Sequence, residues 1–377
     1  KAICLTGPIA LALAFSGVAS LGGWIRRRSL GRAVTVAGAA AVAAGVLAGN
    51  ALALHDITLA PGARMRDLDT IGREFKGQGP ALYPAHEEYA EFFLRDLKVN
   101  ALVNPGAAGI GPPQLRADVL AKAPQPSFAY DLDGFLFSWV QRNRLIVQRR
   151  GPLFSRPPAG FELVRRSAYT DVWKRRGPAR VLWHVPVPGS GQAGFNVDCA
   201  EISERIRRAA PGTVEMAYAI PADTVVANLG DGDVRRPWQR ETPGTVLMNG
   251  AGAVEITVHV ATAGRYRLWV QGPVQRPLRA TIDGRPAGVV QDAWSYPQGW
   301  TLLSTQRLTA GPHTIRLARS GGRPLPGDGA GGFPVGPAVL ERADDRAAGT
   351  VRYAPASEAK QLCADPGRYD WIELVRR

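Results

Sequence analysis

Three aromatic residues of the C-terminal half have the chemistry of a sugar-stacking platform. Trp294 and Tyr296 lie close together in a polar segment, and Trp238 lies beside a turn-rich stretch. An aromatic ring presents a flat apolar face, against which the C–H face of a sugar packs well. We predict that Trp238, Trp294 and Tyr296 bind carbohydrate, with packing into the protein as the alternative. Trp269 and Trp300 are expected to be core residues.

Two pairs of neighbouring carboxylates could act as acid and base. They are Glu87 with Glu88, and Asp131 with Asp133. Paired carboxylates serve catalysis when their surroundings separate their pKa values, but neighbours of this kind are usually solvated surface groups. The sequence also has no GxSxG elbow and no phosphate-binding glycine loop before a helix. We therefore predict no catalytic residue.

Aspartate–glycine segments raise the question of a metal site. Asp231–Asp233 and Gly327–Gly329 could offer oxygen ligands to Ca²⁺, but such segments more often form turns. The five histidines lie far apart, and no CxxC motif or Cys/His cluster occurs, so a zinc site is not expected. We predict no metal and no cofactor, with a structural calcium ion as the alternative.

The elements that must position these side chains follow two long uncharged runs, Ile3–Ile25 and Ala33–Leu54. Each run is about as long as the 20 apolar residues that cross a bilayer. Between and beside them lie four arginines: Arg26, Arg27, Arg28 and Arg32. Because short arginine-rich loops stay on the cytoplasmic side, we predict a transmembrane helical hairpin at residues 1–54. The rest of the chain then lies outside the plasma membrane.

A signal peptide and a buried hairpin of a soluble protein are the alternatives. A signal peptide has its basic residues before a single apolar run, and soluble helices usually carry a polar stripe; neither description fits. In the second run, Gly45 and Gly49 are spaced as GxxxG, which lets helix backbones approach in lipid. The chain begins at Lys1 without Met, and we interpret it as the last two helices and the outer domains of a larger multi-pass protein.

The net charge of +14 suggests an anionic partner. Only six of the 46 basic residues are lysine, and the arginines are scattered. No nucleic-acid-binding motif occurs, so we predict no nucleic-acid partner. A basic surface outside the cell is better suited to anionic lipid headgroups or wall polymers, and a merely solvated surface is the alternative.

The three cysteines predict one disulfide. Cys4 lies in the first apolar run, whereas Cys199 and Cys363 lie in the part of the chain predicted to be outside. Disulfides form and persist outside the cytoplasm, and two cysteines allow a single bridge. We predict the pair Cys199–Cys363.

Two domains are expected after the membrane. Residues 55–180 mix helix and strand signals, which indicates a small α/β domain. Residues 181–377 contain short β runs separated by turn signals, with Asp283–Gly284 as a hairpin turn. That pattern is typical of an antiparallel sandwich. The predicted fold class is α+β multidomain: a transmembrane helical hairpin, a small α/β extracytoplasmic domain, and an antiparallel β-sandwich.

Part of the second domain resembles the galactose-binding-like jelly roll found in many carbohydrate-binding modules. The resemblance rests on a Tyr-x-Leu-Trp strand, two turn segments, a segment typical of the penultimate hairpin of that fold, and the strand after it: Tyr266–Trp269, Asp283–Gly284, Gly299–Trp300, Leu308–Thr314 and Gly336–Leu340. It implies a jelly-roll sandwich and leaves the ligand open.

Residues 55–180 resemble a domain of actinobacterial polytopic membrane glycosyltransferases of the GT-C class. The resemblance is carried by Phe75–Pro80, Glu88–Tyr89, Phe93–Asp96, Ser155–Pro158 and Tyr169–Trp173, with Thr170 where relatives more often have an aromatic residue. Such a family transfers a sugar from a polyprenyl-phosphate donor to an envelope glycan or lipid. Its general base is an acidic residue in an early outer loop, which this sequence does not contain.

Three functions are compatible with the sequence. The preferred one is the C-terminal extracytoplasmic region of a membrane glycosyltransferase, with membrane lipid, a polyprenyl-linked sugar and envelope glycan as partners. The second is a non-enzymatic, membrane-anchored carbohydrate-binding protein of the cell envelope. The third is a structural envelope component.

Overall fold

The computed structural model describes residues 2–25, 27–54, 62–85, 89–101, 114–116, 131–175, 180–186, 199–209, 212–274, 277–290, 299–320, 334–365 and 368–376. The described residues group into two compact units, one containing the first two helices and the other beginning at α3 (Gly62–Glu74).

Helices α1 (Ala2–Gly23) and α2 (Arg28–Leu54) pack against each other across the basic turn. Small residues allow a close approach, since a Cβ atom added to Gly38 would lie 2.7 Å from a methyl group of Val18. A Cβ atom added to Gly45 or Gly49 of the GxxxG segment would meet no atom of another residue within 4 Å. The observed helix contact therefore uses other glycines than the sequence motif.

One helix segment among the described residues, Arg28–Ala51, is long and apolar enough to cross a membrane. Leu11–Gly23 is apolar but shorter. Large apolar side chains on both helices are exposed, including Leu13, Leu21 and Leu47 at 66–70%. The helix pair thus presents an apolar surface, and membrane passage of both helices stays a prediction.

The second unit contains most of the secondary structure. Its strands, in chain order, are β1 (Ala81–Tyr83), β2 (Val99–Ala101), β3 (Leu145–Arg149), β4 (Phe161–Arg166), β5 (Thr170–Arg175), β6 (Arg180–Pro186), β7 (Glu215–Ala219), β8 (Thr224–Ala227), β9 (Asp233–Arg235), β10 (Gln239–Arg240), β11 (Val246–Leu247), β12 (Gly252–Val260), β13 (Gly264–Gln271), β14 (Leu278–Ile282), β15 (Arg285–Val290), β16 (Trp300–Leu308), β17 (Gly311–Arg319), β18 (Pro334–Val335), β19 (Ala338–Arg342), β20 (Val351–Pro355) and β21 (Trp371–Arg376). Short helices lie at Ala90–Phe93, Phe137–Val140, Cys199–Arg208 and Ala359–Ala364, and single 3₁₀ turns at Arg95–Leu97, Leu132–Gly134, Leu229–Asp231 and Ala356–Glu358.

The first sheet is mixed and has the order β2-β1-β3-β5-β4. Strand β1 pairs in parallel with β2 and β3, while β3, β5 and β4 are antiparallel. Helix α3 buries Leu68 and Ile71 completely in a cluster with strand residues such as Val147, as expected from their helical spacing. Trp139 is fully buried in a second cluster with Ile146, the strand neighbour of Val147. Because successive side chains of a strand point to opposite faces, both faces of this sheet are covered.

Strands β8 to β19 form an antiparallel sandwich. One sheet has the order β15-β14-β17-β12-β9, the other β16-β13-β19-β8, and a small third sheet joins β10, β11 and β18. Apolar side chains of both large sheets share one core, with Leu268, Ile315 and Leu317 completely buried. The predicted antiparallel sandwich is confirmed.

The last sheet, β20-β7-β21-β6, is separate from the sandwich although it belongs to the predicted segment 181–377. Strands β6 and β7 both pair with the antiparallel strand β21 between them. The helices Cys199–Arg208 and Ala359–Ala364 share a core with one face of this sheet. The sandwich lies between β7 and β20 in sequence, so it is an insertion into this smaller α+β element.

Two turn predictions have different outcomes. Asp283 and Gly284 have positive φ angles of 52° and 73° between β14 and β15, as the hairpin type with two left-handed residues requires. By contrast, Leu308–Thr314 is not part of a hairpin, because β16 pairs with β13 and β17 pairs with β12. This segment carries the chain from one sheet to the other.

Candidate functional site

The predicted sugar-stacking residues have different outcomes. Trp294 and Tyr296 lie outside the described residues. Trp238 is only 2% exposed in the sandwich core, where its Nε1 donates to the Gly250 carbonyl, so the prediction of an exposed stacking ring is wrong for this residue. Its neighbour Gly252 allows the packing, because a Cβ there would lie 2.4 Å from the indole ring. Trp269 and Trp300 are buried, as expected.

The disulfide between Cys199 and Cys363 is present, with the two Cα atoms 5.8 Å apart. It joins the helix Cys199–Arg208 to the helix Ala359–Ala364 over the four-stranded sheet. The pairing that followed from compartment and number alone is therefore confirmed.

The acidic segments do not form metal sites in the described part of the chain, where no group of three His, Cys, Asp or Glu side chains could hold an ion. Asp233 is exposed and pairs with Arg235. Glu87, Glu88 and Gly327–Gly329 lie outside the described residues.

An arginine-lined cleft lies between the first sheet and the sandwich. We name it the arginine cleft. Its centre is lined by two cross-strand ion pairs, a third arginine and a tryptophan: Arg166 with Asp171, Arg267 with Glu341, Arg150 and Trp269. The cleft has a volume of about 200 Å³.

The two ion pairs face the cleft because of strand register. Arg166 and Asp171 are register partners on β4 and β5, and the guanidinium donates to the carboxylate through Nε at 2.9 Å and Nη2 at 2.8 Å. Arg267 and Glu341 are register partners on β13 and β19, with an Nη1–Oε1 distance of 3.1 Å. The second carboxylate oxygen accepts from Trp269 Nε1 at 2.7 Å.

Arg150 follows β3 and lies near both pairs. Its Nη1 donates to the Ser167 carbonyl at 3.0 Å, and its guanidinium carbon lies 5.7 Å from the Trp269 ring centre. Its nearest carboxylate oxygen, on Asp171, is 3.9 Å from Nε, too far for a hydrogen bond. Desolvation lowers the pKa of Arg150. The Asp171 charge opposes this effect, and the neighbouring guanidinium groups of Arg166 and Arg267 add to it.

The wall between the two sheets is apolar. Trp269, Trp300 and Val339 of the sandwich pack against Leu153 and Phe154 of the proline-rich connector before β4. One face of the sandwich is therefore covered by the rest of the unit, which fixes the position of Trp269 beneath Arg150.

A buried polar network lies behind the cleft and corrects the expectation that Asp131 and Asp133 are solvated. Their exposures are 4% and 3%. Asp131 accepts from the backbone N–H of Ser155 at 2.7 Å, and Asp133 accepts from the Ser155 hydroxyl at 2.7 Å. His184 then bridges Asp133, at 3.2 Å from Nε2, and Glu373, at 2.8 Å from Nδ1. The network joins three parts of the chain.

Burial changes the proton affinity of this network. Desolvation raises the pKa of Asp131 to about 8 and that of Asp370, beside the cleft, to about 7, with the Asp133 charge adding to both. Burial alone would lower the pKa of His184, but its hydrogen bonds to Asp133 and Glu373 outweigh burial and raise it to about 9. His184 is therefore a buried cation between two carboxylates at neutral pH.

The thermal stability of the second unit is expected to fall as the pH rises from about 6 to about 9.5. The pKa values of Asp131, Asp370 and His184 are all raised by folding, so the folded state binds these protons more tightly. The stability they contribute is complete below the unfolded pKa values and is lost as the pH passes about 7, 8 and 9. The measurement is the melting temperature across this range.

The Asp131→Asn variant is the control for this pH dependence. It removes one titrating group, so its melting temperature should fall less between pH 5 and 8. A wild-type melting temperature that rises across the range would contradict the prediction.

Neither the cleft nor the network is visible in the sequence. The arginines of the cleft are indistinguishable from the other scattered arginines, and the doublets Arg149–Arg150 and Arg165–Arg166 at strand ends are the one local signal. His184 is 51 residues from Asp133 and 189 from Glu373, so only the fold brings them together.

No protein-family model matches the chain, and no curated protein matches it. Solved structures give weak likenesses. A family 35 carbohydrate-binding module from Clostridium thermocellum has 19% identity, covering 32% of this chain and 100% of the module, with a TM-score of 0.25. A mannan-binding module from Man5C has 21% identity over 31% and 97%, with a TM-score of 0.24.

A β-(1,4)-mannanase with a family 35 module from Podospora anserina has 14% identity, covering 33% of this chain and 28% of the mannanase, with a TM-score of 0.24. At such scores these likenesses carry no functional conclusion.

Proposed function

We propose that the chain is the extracytoplasmic, membrane-attached region of a protein that acts on cell-envelope glycan. The observation that carries the proposal is the Cys199–Cys363 disulfide in the unit that follows the apolar helix α2. Disulfides persist in oxidising compartments, so the bond supports a location of this unit outside the cytoplasm. The arginine-rich turn before α2 independently favours the same orientation.

The finer form of the proposal is the C-terminal part of a multi-pass glycosyltransferase of the GT-C class, using a polyprenyl-phosphate sugar. Its support is the resemblance of residues 55–180, together with the predicted passage of both α1 and α2 through the membrane. In this form the catalytic carboxylate lies in a part of the protein that this sequence does not include, and the domains described here hold the glycan.

The second candidate is a membrane-anchored carbohydrate-binding protein without catalysis, and the observation that favours it is the antiparallel sandwich with its tryptophan-rich segment. Both candidates require glycan binding. One measurement on the complete protein distinguishes them. Only a transferase would move sugar from a polyprenyl-phosphate donor to an envelope acceptor.

Trp294→Ala is expected to weaken binding of envelope oligosaccharide by about tenfold, because it removes a flat apolar ring from the proposed binding loop. Tyr296→Ala is expected to act in the same direction. The measurement is titration calorimetry on the full chain in detergent. Phe92→Ala, which removes a 63% exposed ring from another region, is the matched control and should leave binding unchanged. An equal effect of all three variants, or no glycan binding at millimolar concentration, would contradict the proposal.

A further inference from the structure

We propose that the arginine cleft binds the phosphate group of a sugar phosphate, with Arg150 as the main cation. The inference rests on the proposed function and deepens it, because it names the chemistry of a ligand. It is independent of Trp294 and Tyr296, which belong to a different part of the chain.

The charges of the cleft are unbalanced. At its centre three guanidinium groups lie with two carboxylates, and each carboxylate is hydrogen-bonded to one of them. The wider lining adds Arg149, Arg156 and Arg342 together with Asp345 and Asp370, so it also holds more arginines than carboxylates. Asp171 accepts two hydrogen bonds from Arg166, and Glu341 accepts one from Arg267 and one from Trp269. Arg150 has only Asp171, which lies 3.9 Å from its Nε and is already paired with Arg166, so these five side chains carry one more positive than negative charge.

The guanidinium group of Arg150 is unusually well shielded from water for a charged group. Its side chain is only 14% exposed, and among the described residues it hydrogen-bonds to one carbonyl and to no carboxylate. Desolvation, together with the nearby Arg166 and Arg267, lowers the pKa of Arg150 despite the opposing attraction of Asp171 and Glu341. Its nearest carboxylate, Asp171 at 3.9 Å, is already hydrogen-bonded to Arg166, so the charge of Arg150 is only partly neutralised. An anion in the cleft would therefore stabilise the site as well as itself.

Phosphate is the anion that fits this arrangement. A guanidinium carries five N–H donors, of which Asp171 takes two from Arg166 and Glu341 takes one from Arg267. A phosphate has several acceptor oxygens for further donors, and arginine is the preferred residue for such contacts. The three guanidinium groups come from β4, β13 and the end of β3, so they approach from two sheets. A carboxylate offers only one planar pair of oxygens and would not use donors from several directions.

The cleft can also hold a sugar ring. Its volume of about 200 Å³ is below the 300–1,000 Å³ typical of drug-sized ligands, and therefore suits one sugar unit with its phosphate. Trp269 and Trp173 both line it, but they are only 3% and 7% exposed, so they form its wall and offer a ligand little ring surface. Trp173 already lies under the buried guanidinium of Arg156, 5.0 Å from the ring centre.

The test is titration of the full chain in detergent with glucose 1-phosphate. Arg150→Gln should weaken binding on the order of tenfold to a hundredfold, as expected for loss of a charged hydrogen-bond donor. Arg150→Lys, which keeps the charge but not the fork, should lose less. Arg279→Gln, which removes an exposed arginine from β14, is the matched control and should bind as the wild type does.

A stability measurement separates loss of a ligand contact from misfolding. Arg150→Gln removes a desolvated cation whose carboxylate partner Asp171 is shared with Arg166, and it gives up one hydrogen bond to the Ser167 carbonyl, so it should lower the melting temperature of the free protein only slightly. Added glucose 1-phosphate should raise the melting temperature of the wild type and of Arg279→Gln, but not that of Arg150→Gln. A large loss of stability in Arg150→Gln without ligand would overturn the assignment of Arg150 as the surplus cation of the cleft.

Comparison with other ligands tests whether the cleft recognises the phosphate group. Glucose should bind at least tenfold more weakly than glucose 1-phosphate, and equal binding of glucuronate would overturn the choice of phosphate. A short-chain polyprenyl-phosphate glucose that binds more tightly than glucose 1-phosphate identifies a lipid-linked source, whereas equal binding identifies a soluble or wall phosphate. Phosphate-dependent binding without binding of neutral envelope glycan would support the cleft while contradicting the glycan-binding proposal.

Discussion

Replacing His184 by alanine is expected to destabilise the second unit by about 3–5 kcal/mol, because it removes the cation between two buried carboxylates. Asp133 and Glu373 are 3% and 0% exposed, and both accept from His184. Removing one partner of a buried charge pair leaves the other group desolvated and uncompensated. The measurement is the free energy of unfolding in urea at neutral pH, on the full chain in detergent.

The loss should also depend on pH in a way that a simple cavity would not. The stability that comes from the raised His184 pKa is complete below its ordinary value of 6.5 and is lost as the pH passes about 9, so the cost of His184→Ala should be smaller at about pH 9.5 than at about pH 6. Glu201→Ala, which breaks the exposed pair with Arg205, is the control and should cost no more than about 1 kcal/mol. If both variants cost the same, the bridge is not a major stabilising element.

Removing the disulfide is expected to cost about 2–5 kcal/mol. The bond closes a loop with a sequence separation of 164 residues, which spans the entire sandwich. In the chain-entropy account, closing a longer loop restricts the unfolded state more, so this bond belongs to the more stabilising end of that range. The measurement is thermal unfolding of the Cys199→Ser/Cys363→Ser double variant.

A reducing agent provides the internal control for this prediction. It should lower the melting temperature of the wild type toward that of the double variant, and leave the double variant unchanged. Cys4→Ser, which alters the cysteine of the first apolar run, should keep the full response to reduction. A wild type that is insensitive to complete reduction would contradict a stabilising role for the bond.

Local signals in the sequence predict much of the fold. Asp283–Gly284 predicts its hairpin because the turn needs two residues with positive φ. Few residues adopt that conformation, and aspartate followed by glycine is one of the pairs that do. The run in α2 is recognised by its length and apolar character alone. The cysteine pair follows from compartment and number. In each case the deciding information lies within a few residues or in a count.

Long-range packing explains what the sequence does not show. Trp238 is next to a proline and a turn, which suggests an exposed ring. Its ring is nevertheless buried, because Gly252 on a later strand has no side chain to occupy the same space. The cleft exists because the sandwich packs on the connector at Leu153 and Phe154, and no local pattern records that contact. In the sequence, Asp131 and Asp133 resemble solvated surface acids. Only the fold brings His184 and Glu373, from strands distant in sequence, into the same buried network.

The sandwich enters and leaves its host sheet at one point. Ile220 donates to the Thr350 carbonyl at 3.1 Å, and Gly349 donates to the Ile220 carbonyl at 2.8 Å, so the two ends of the insertion are adjacent. A segment attached in this way can be exchanged for another as a cassette, while β6, β7, β20 and β21 keep their pairing. Exchange would nevertheless remove Arg267, Trp269 and Glu341 and leave only half of the cleft. A graft that is tolerated by the fold would therefore still change which ligands the protein selects.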